Sequence, residues 1–150
     1  MSHEKDLNLT RRVEAPREKV WEAFTRPEHL MRWWAPGGFT MPTCELDLRP
    51  GGAWNYSFRS PEGWEHSCRA VFQEVVPPEK LVNISMVPGP DGKPLFRIRQ
   101  TLTLAEEGKG TQLALKVEVL EAHPGSEPYL AGMEQGTNMT LDNLGPYLQG

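Results

Sequence analysis

The chain has 150 residues, a net charge of -4 and two cysteines, the size of one ordinary domain that buries about 70% of the surface its unfolded form exposes. Lys and Arg are scattered along it, so the basic footprint of a nucleic-acid binder is missing. No apolar run approaches the roughly 20 residues that span a bilayer, and the start "MSHEKDLNLT" lacks the apolar stretch of a secretion signal; the chain reads as cytoplasmic, with Cys44 and Cys68 as free thiols.

Residues 7–15, "LNLTRRVEA", put Leu7, Leu9 and Val13 on one face, as a half-buried strand does. Pro16 then stands at a helical first turn, and "PREKVWEAF" gathers Val20, Ala23 and Phe24 on one side. Pro27 opens a second short helix, "PEHLMRWW", with Leu30, Met31 and Trp34 as its expected apolar side; "APGGF" stops it. From there the apolar period is two. "TCELDLR" and "AWNYSFR" are strands joined by "PGG", and "WEHSCRAVFQEVV" follows the turn "SPEG". "LVNISMV", "LFRIRQTLTL" and "TQLALKVEV" complete a meander of antiparallel strands, because the connections between them are short. The last segment returns to three- and four-residue spacing: after "HPGSEP", with Ser126 as cap, Leu130, Met133, Leu141, Leu144 and Leu148 form one stripe. A helix of about 22 residues is about 33 Å long, which matches a ten-residue strand.

The order strand, two short helices, six strands and one long helix predicts an α+β fold of the helix-grip kind. A curved antiparallel sheet of six to seven strands wraps the only long element available to cover its apolar face. The whole of residues 1–150 is expected to form this one domain. Within it, "RRVEAPREKVWEAFTRPEHLMRWWAPGGF", "EVVPPEKLV" and "GMEQGTNMTLDNLGPYL" resemble the Hsp90 ATPase activator homologue 1-like (AHSA1-type) family of the START-like, SRPBCC or Bet v 1-like superfamily. The resemblance implies a cavity between sheet and long helix that takes small hydrophobic or amphipathic molecules. The family's eukaryotic co-chaperone carries a separate amino-terminal domain that engages Hsp90, whereas this sequence starts almost directly at strand one, so direct ATPase activation is not expected.

On that architecture the adjacent Trp33 and Trp34 close one end of the grip, one plugging the core and the other lining the cavity mouth. Trp54, Tyr56 and Phe58 share a face, as do Trp64, His66, Cys68, Ala70 and Phe72. Aromatics, small residues and polar groups together are the lining of a ligand pocket, or ordinary cross-strand packing. Gln100 interrupts the stripe from Phe96 to Leu104 and needs a partner if it points inward, since an unpaired buried amide costs roughly 1–3 kcal/mol. The inner face of the strand Leu81 to Val87 is left open, either Asn83 and Ser85 or Val82, Ile84 and Met86. The expected ligand-binding set is therefore Trp33, Trp34, Trp54, Tyr56, Phe58, Trp64, His66, Cys68, Phe72 and Gln100, with Met133 from the long helix.

His66 and Cys68 have no third convergent group in sequence, so no metal site, catalytic residue or cofactor is expected. GxSxG, HExxH, paired CxxC and phosphate-cradling glycine loops do not occur. Binding of a small hydrophobic ligand without transforming it is the first reading. The alternatives are a cyclase, dehydratase or hydrolase using the same cavity, and a protein-interaction module associated with an Hsp90 homologue. Sheet edges and the apolar "WWAPGGF" region allow a homodimer.

Overall fold

The computed structural model describes residues 6–35, 39–63, 65–88, 94–122 and 127–149, with the backbone alone at 66, 87, 88, 94, 95, 127–133, 136 and 149. Strand β1 (Leu7–Val13) leads into helices α1 (Arg17–Thr25) and α2 (Pro27–Trp33). Six strands follow: β2 (Thr40–Leu46), β3 (Ala53–Arg59), β4 (Glu65–Val76), β5 (Lys80–Pro88), β6 (Pro94–Glu107) and β7 (Gly110–Ala122). Helix α3 (Glu127–Gln149) closes the chain. All seven strands form one antiparallel sheet in the order β1-β7-β6-β5-β4-β3-β2. The meander expected from the short connections is therefore present, and β1 is added at its far edge beside β7.

Each β6 residue from Phe96 to Leu104 at an even position is buried or half-buried on the concave face, and its cross-strand partners continue the row: Leu102 faces Leu81 and Leu115, and Leu104 faces Leu113. On the other face Arg99 pairs with Glu118 at 3.7 Å and Arg97 with Glu121 at 3.5 Å, the cross-strand charge pairing that the alternation predicts. Helix α3 seats Leu141, Leu144 and Leu148 in the core and is tied to β1 by Arg11, which reaches Asn138 at 2.5 Å and Asp142 at 3.4 Å. Its expected Ser126 cap lies outside the described residues, and so do the side chains of Leu130 and Met133. Among the described residues no helix is long and apolar enough to cross a membrane.

Three local expectations change. In α2 the buried side is Leu30 and Trp33, while Met31 is 40% exposed and Trp34 half-buried. Trp33 is three residues beyond Leu30 and shares its face; Met31, the next residue, is turned about 100° away. β2 starts three residues earlier than "TCELDLR", and Asp47 turns the chain back by accepting from Arg49 N while its own N–H donates to Ala53 O. Gly51 takes φ +85°, and a Cβ on Gly52 would meet Asp47 O at 2.0 Å, so this "PGG" needs both glycines. β4 carries an irregularity between Phe72 and Glu74, which interrupts the strict alternation drawn through "WEHSCRAVFQEVV".

Candidate functional site: a polar string on the aromatic half of the sheet

The first element of the site is a run of rings. Trp33 is 2% exposed, its indole N–H donates to Ala23 O at 2.8 Å, and its ring stands edge-on to Phe24 at 4.8 Å and to Trp34 at 5.5 Å. Trp34 meets Trp54 at 5.3 Å, Trp54 stacks on Tyr56 at 4.2 Å and 28°, and Tyr56 meets Phe58 edge-on at 5.4 Å. Centroid separations of 4.5–7 Å in edge-to-face pairs are the favoured aromatic geometry. The two adjacent tryptophans thus divide the work: Trp33 is a core plug with its one polar atom satisfied, and Trp34 joins the helices to the sheet. Asn143 of α3 fixes this corner by donating to Trp33 O at 3.1 Å and Ala35 O at 3.0 Å.

The second element is polar. Register sets Cys44, Tyr56 and Cys68 side by side across β2, β3 and β4. Two strand spacings, about 9–10 Å, separate the cysteines, which is beyond the roughly 7 Å that a disulfide bridges; both are free thiols. Trp54 N–H donates to Cys44 Sγ at 3.4 Å. Asn83 and Ser85 are buried at 6% and 5%, and Asn83 faces Gln100 in the register while Ser85 faces Ile98. The inner face of β5 is therefore Leu81, Asn83 and Ser85. Ser85 Oγ donates to Asn83 Oδ1 at 3.0 Å and lies 3.4 Å from Gln100 Oε1, and the Tyr56 phenol interacts with Ser85 and Cys68 beside it.

Burial pushes the Tyr56 phenol well above its ordinary 10.0, Cys68 adds to the rise, and the Ser85 hydrogen bond opposes it. Burial also pushes the Cys68 thiol up to about 11, against the Tyr56 hydrogen bond that lowers it. The Cys44 thiol is raised by burial as well, opposed by the Trp54 indole. Near neutral pH the string Cys68, Tyr56, Ser85, Asn83 and Gln100 therefore carries no charge. It also has hydrogen-bonding capacity to spare. A hydroxyl has one proton to give; with that of Ser85 committed to Asn83 at 3.0 Å, the half-buried Gln100 carboxamide is left with a long contact and an amide nitrogen that has no partner among the described residues.

Of the expected set, the structure joins Trp33, Trp34, Trp54, Tyr56 and Phe58 in one aromatic run and Tyr56, Cys68 and Gln100 in one polar string. Phe72 is 2% exposed in the core and faces Asn83 across β4 and β5. Trp64 lies outside the described residues, as do the side chains of His66 and Met133; the backbone of His66 pairs with Phe58. Asn83, Ser85 and Cys44 complete the arrangement without having been in the set. Glu74, near the end of β4, makes an ion pair with Lys80 at 3.4 Å.

A family model described as Activator of Hsp90 ATPase homolog 1-like protein matches residues 14–149. The chain belongs to that family. Two solved structures agree over nearly the whole fold. A protein of Nitrosomonas europaea has a TM-score of 0.82 at 25% identity, covering 99% of this chain and 97% of its own. A protein of Chromobacterium violaceum has a TM-score of 0.81 at 28% identity, covering 97% and 98%. The AHSA1 protein of Silicibacter pomeroyi shares the fold at a TM-score of 0.80 and 21% identity. No curated protein sequence matches the chain significantly. The AHSA1-type family has the helix-grip fold of the Bet v 1-like group, in which ligand binding is common.

Proposed function

We propose that this AHSA1-type chain binds a small hydrophobic molecule bearing one uncharged polar group, a carbonyl or a hydroxyl, against the β3–β5 part of the concave face. The observation that carries the reading is the polar string set into an aromatic and aliphatic surface. Trp34, Trp54 and Phe58 supply apolar contact. Tyr56, Ser85 and Gln100 supply donors and acceptors for one polar group, with Cys68 and Asn83 holding them in place. Trp33 and Phe72 act from behind as packing, and Trp64, His66 and Met133 are assigned to the same pocket from their places in the sequence. A charged ligand head is disfavoured, because the string offers no countercharge and burying an unpaired ion is costly. The protein is expected to work as one cytoplasmic domain, alone or as a homodimer.

The convergence of Tyr56, Ser85 and Gln100 also supports a second reading, a cyclase- or dehydratase-like enzyme in which neutral donors polarise a substrate carbonyl. Tyr56 and Cys68 both hold their protons tightly, so neither serves as base or thiolate near neutral pH, and binding is the simpler use of the same groups. A third reading, association with an Hsp90 homologue, draws on the family alone.

Native mass spectrometry of freshly purified protein, with tryptophan fluorescence followed during delipidation, tests the first reading. The expected result is a co-purifying mass that disappears together with a shift in emission, since Trp34 and Trp54 flank the string. An unchanged mass and spectrum across a broad screen of neutral hydrophobic ligands would overturn it. A complex recovered with an Hsp90 homologue from such ligand-free protein would move the assignment to the third reading.

A further inference from the structure

A second concavity lies where no strand contributes, between α1, α2 and the last turn of α3, with a volume of 320 Å³. At the roughly 30 Å³ that a water molecule occupies in the liquid, it has room for roughly ten non-hydrogen atoms, and it reaches the lower end of ligand-pocket size. Its floor is apolar: Ala23 is 1% and Leu148 8% exposed, and the Tyr147 ring lies beside them. Its wall is built. His29 Nδ1 and Tyr147 Oη share a hydrogen bond at 2.5 Å, and their rings meet edge-on at 5.8 Å. In the tautomer in which Tyr147 donates to Nδ1, His29 keeps its Nε2–H as a further donor.

The charges around it do not cancel. Glu22, the one carboxylate among the described lining residues, is 3.2 Å from Arg26 outside it. Lys19 donates to Leu148 O at 3.3 Å, where the negative end of the α3 dipole offsets its positive charge in part without a carboxylate partner. Arg32, in the last turn of α2, has no ion-pair partner among the described residues. Two cations over an apolar floor, in a chain of net charge -4, are the complement of a small organic anion; a planar guanidinium recognises a carboxylate through two parallel hydrogen bonds.

We infer that the groove between α1, α2 and the end of α3 binds a small carboxylate with an aromatic or aliphatic body, its anion held by Arg32 and Lys19 and its body against Ala23, Leu148 and Tyr147. This site is independent of the uncharged string on the sheet and selects ligands of the opposite kind.

The test is an amide-resolved NMR titration of the full chain with indole-3-acetate, with indole-3-acetamide as the uncharged control. Saturable shifts are expected at Ala23, His29 and Leu148. Arg32→Gln is expected to weaken binding about tenfold, and Lys19→Gln, which keeps a donor for Leu148 O, less; the amide is expected to bind at least tenfold more weakly than the acid. Arg32 is exposed, so its variant should retain the spectrum of the folded chain. Absence of saturable shifts, equal binding of acid and amide, or indifference to Arg32→Gln would overturn the inference. Shifts confined to Tyr56, Cys68, Ser85 and Gln100 would overturn it too, while showing the sheet site occupied.

Discussion

The two halves of the sheet share one pleat and one concave face, yet they present different chemistry. β1, β7 and β6 offer Leu9, Val117, Leu115, Leu113, Leu104 and Leu102, nearly all fully buried. β2 to β5 offer Cys44, Trp54, Tyr56, Phe58, Cys68, Ser85 and Asn83, several of them half-buried. The border runs through β6, where Gln100 faces Asn83 on one side and Val117 on the other. Branched aliphatics fill an interior at close-packed density without making any hydrogen-bonding demand, and the buried Thr111 of β7 is satisfied by Ala15 O at 2.7 Å, so the first half acts mainly through packing. The second half buries hydroxyl, thiol and amide groups that must be satisfied, and such groups are retained at a cost to packing. Stability and recognition are therefore separable along one sheet, and substitutions should separate them.

The largest effect is expected where the aromatic half is pinned to the helices. Trp33→Ala removes the largest fully buried side chain among the described residues and two edge-to-face pairs; a loss of about 3–5 kcal/mol in urea unfolding should follow, together with a weakened near-ultraviolet circular dichroism signal as Trp34 and Trp54 lose their support. Leu113→Ala, at 0% exposure in the aliphatic half, should lose about 2–5 kcal/mol with the aromatic signal of the remaining folded protein intact. If both variants disturb the aromatic signal equally, the halves are one packing unit and the comparison fails.

Among the described residues, the thiols and phenol raised by burial lie in the aromatic half, so alkaline pH should act there. The folded chain holds the Cys68 proton up to about 11 against an ordinary 9.0, and Tyr56 is raised from its own ordinary value in the same direction. A neutral group that is harder to ionise in the folded state contributes stability that is complete below the unfolded pKa and is lost as pH rises to the folded one. Unfolding free energy should thus fall from pH 9 to about pH 11, and Cys68→Ala should flatten that fall. Alkylation should find Cys68 inert at pH 8, because the thiolate is the reacting form. A fast-reacting Cys68 at that pH, or a pH profile unchanged in Cys68→Ala, would remove the buried, uncharged character on which the proposed ligand class depends.

Where the sequence was legible, it was because one physical rule acted alone. Alternation in "LFRIRQTLTL" and "TQLALKVEV" placed Leu102, Leu104, Leu113 and Leu115 inside and the arginines outside, and the three-to-four spacing of Leu141, Leu144 and Leu148 gave the buried stripe of α3. The family resemblance drawn from three separated runs holds over residues 14–149. Where two rules competed, the pattern was silent. "LVNISMV" is apolar throughout one set of alternate positions and mixed at the other, so β-periodicity favours Val82, Ile84 and Met86 as the inner set, while hydrogen bonding favours Asn83 and Ser85 beside Gln100. The need of a buried amide for a partner decides the register and was the signal to follow. Trp33 and Trp34 were both expected at the closed end, but their division of labour rests on the Ala23 carbonyl ten residues away, which no local period encodes. The groove beside Arg32 brings two neighbouring helices against the far end of the chain and has no motif.

The smallest effect on stability should come from Gln100→Leu, and it is the most discriminating. The carboxamide is half-buried and its contact with Ser85 is 3.4 Å long, while Ser85 keeps the shorter bond to Asn83. Leucine would extend the aliphatic row of Ile98, Leu102 and Leu104 by one position at similar volume, so the change in unfolding free energy should lie within about 1 kcal/mol. Retention of a neutral ligand should nevertheless drop, because the side chain with unused hydrogen-bonding capacity is gone; native mass spectrometry of the variant beside the parent reads that directly. Leu113→Ala should show the converse, lower stability with undiminished ligand per folded molecule. A Gln100→Leu variant that loses stability as Leu113→Ala does, while retaining ligand, would make the amide a structural part of the core and leave the aromatic half without a recognition role.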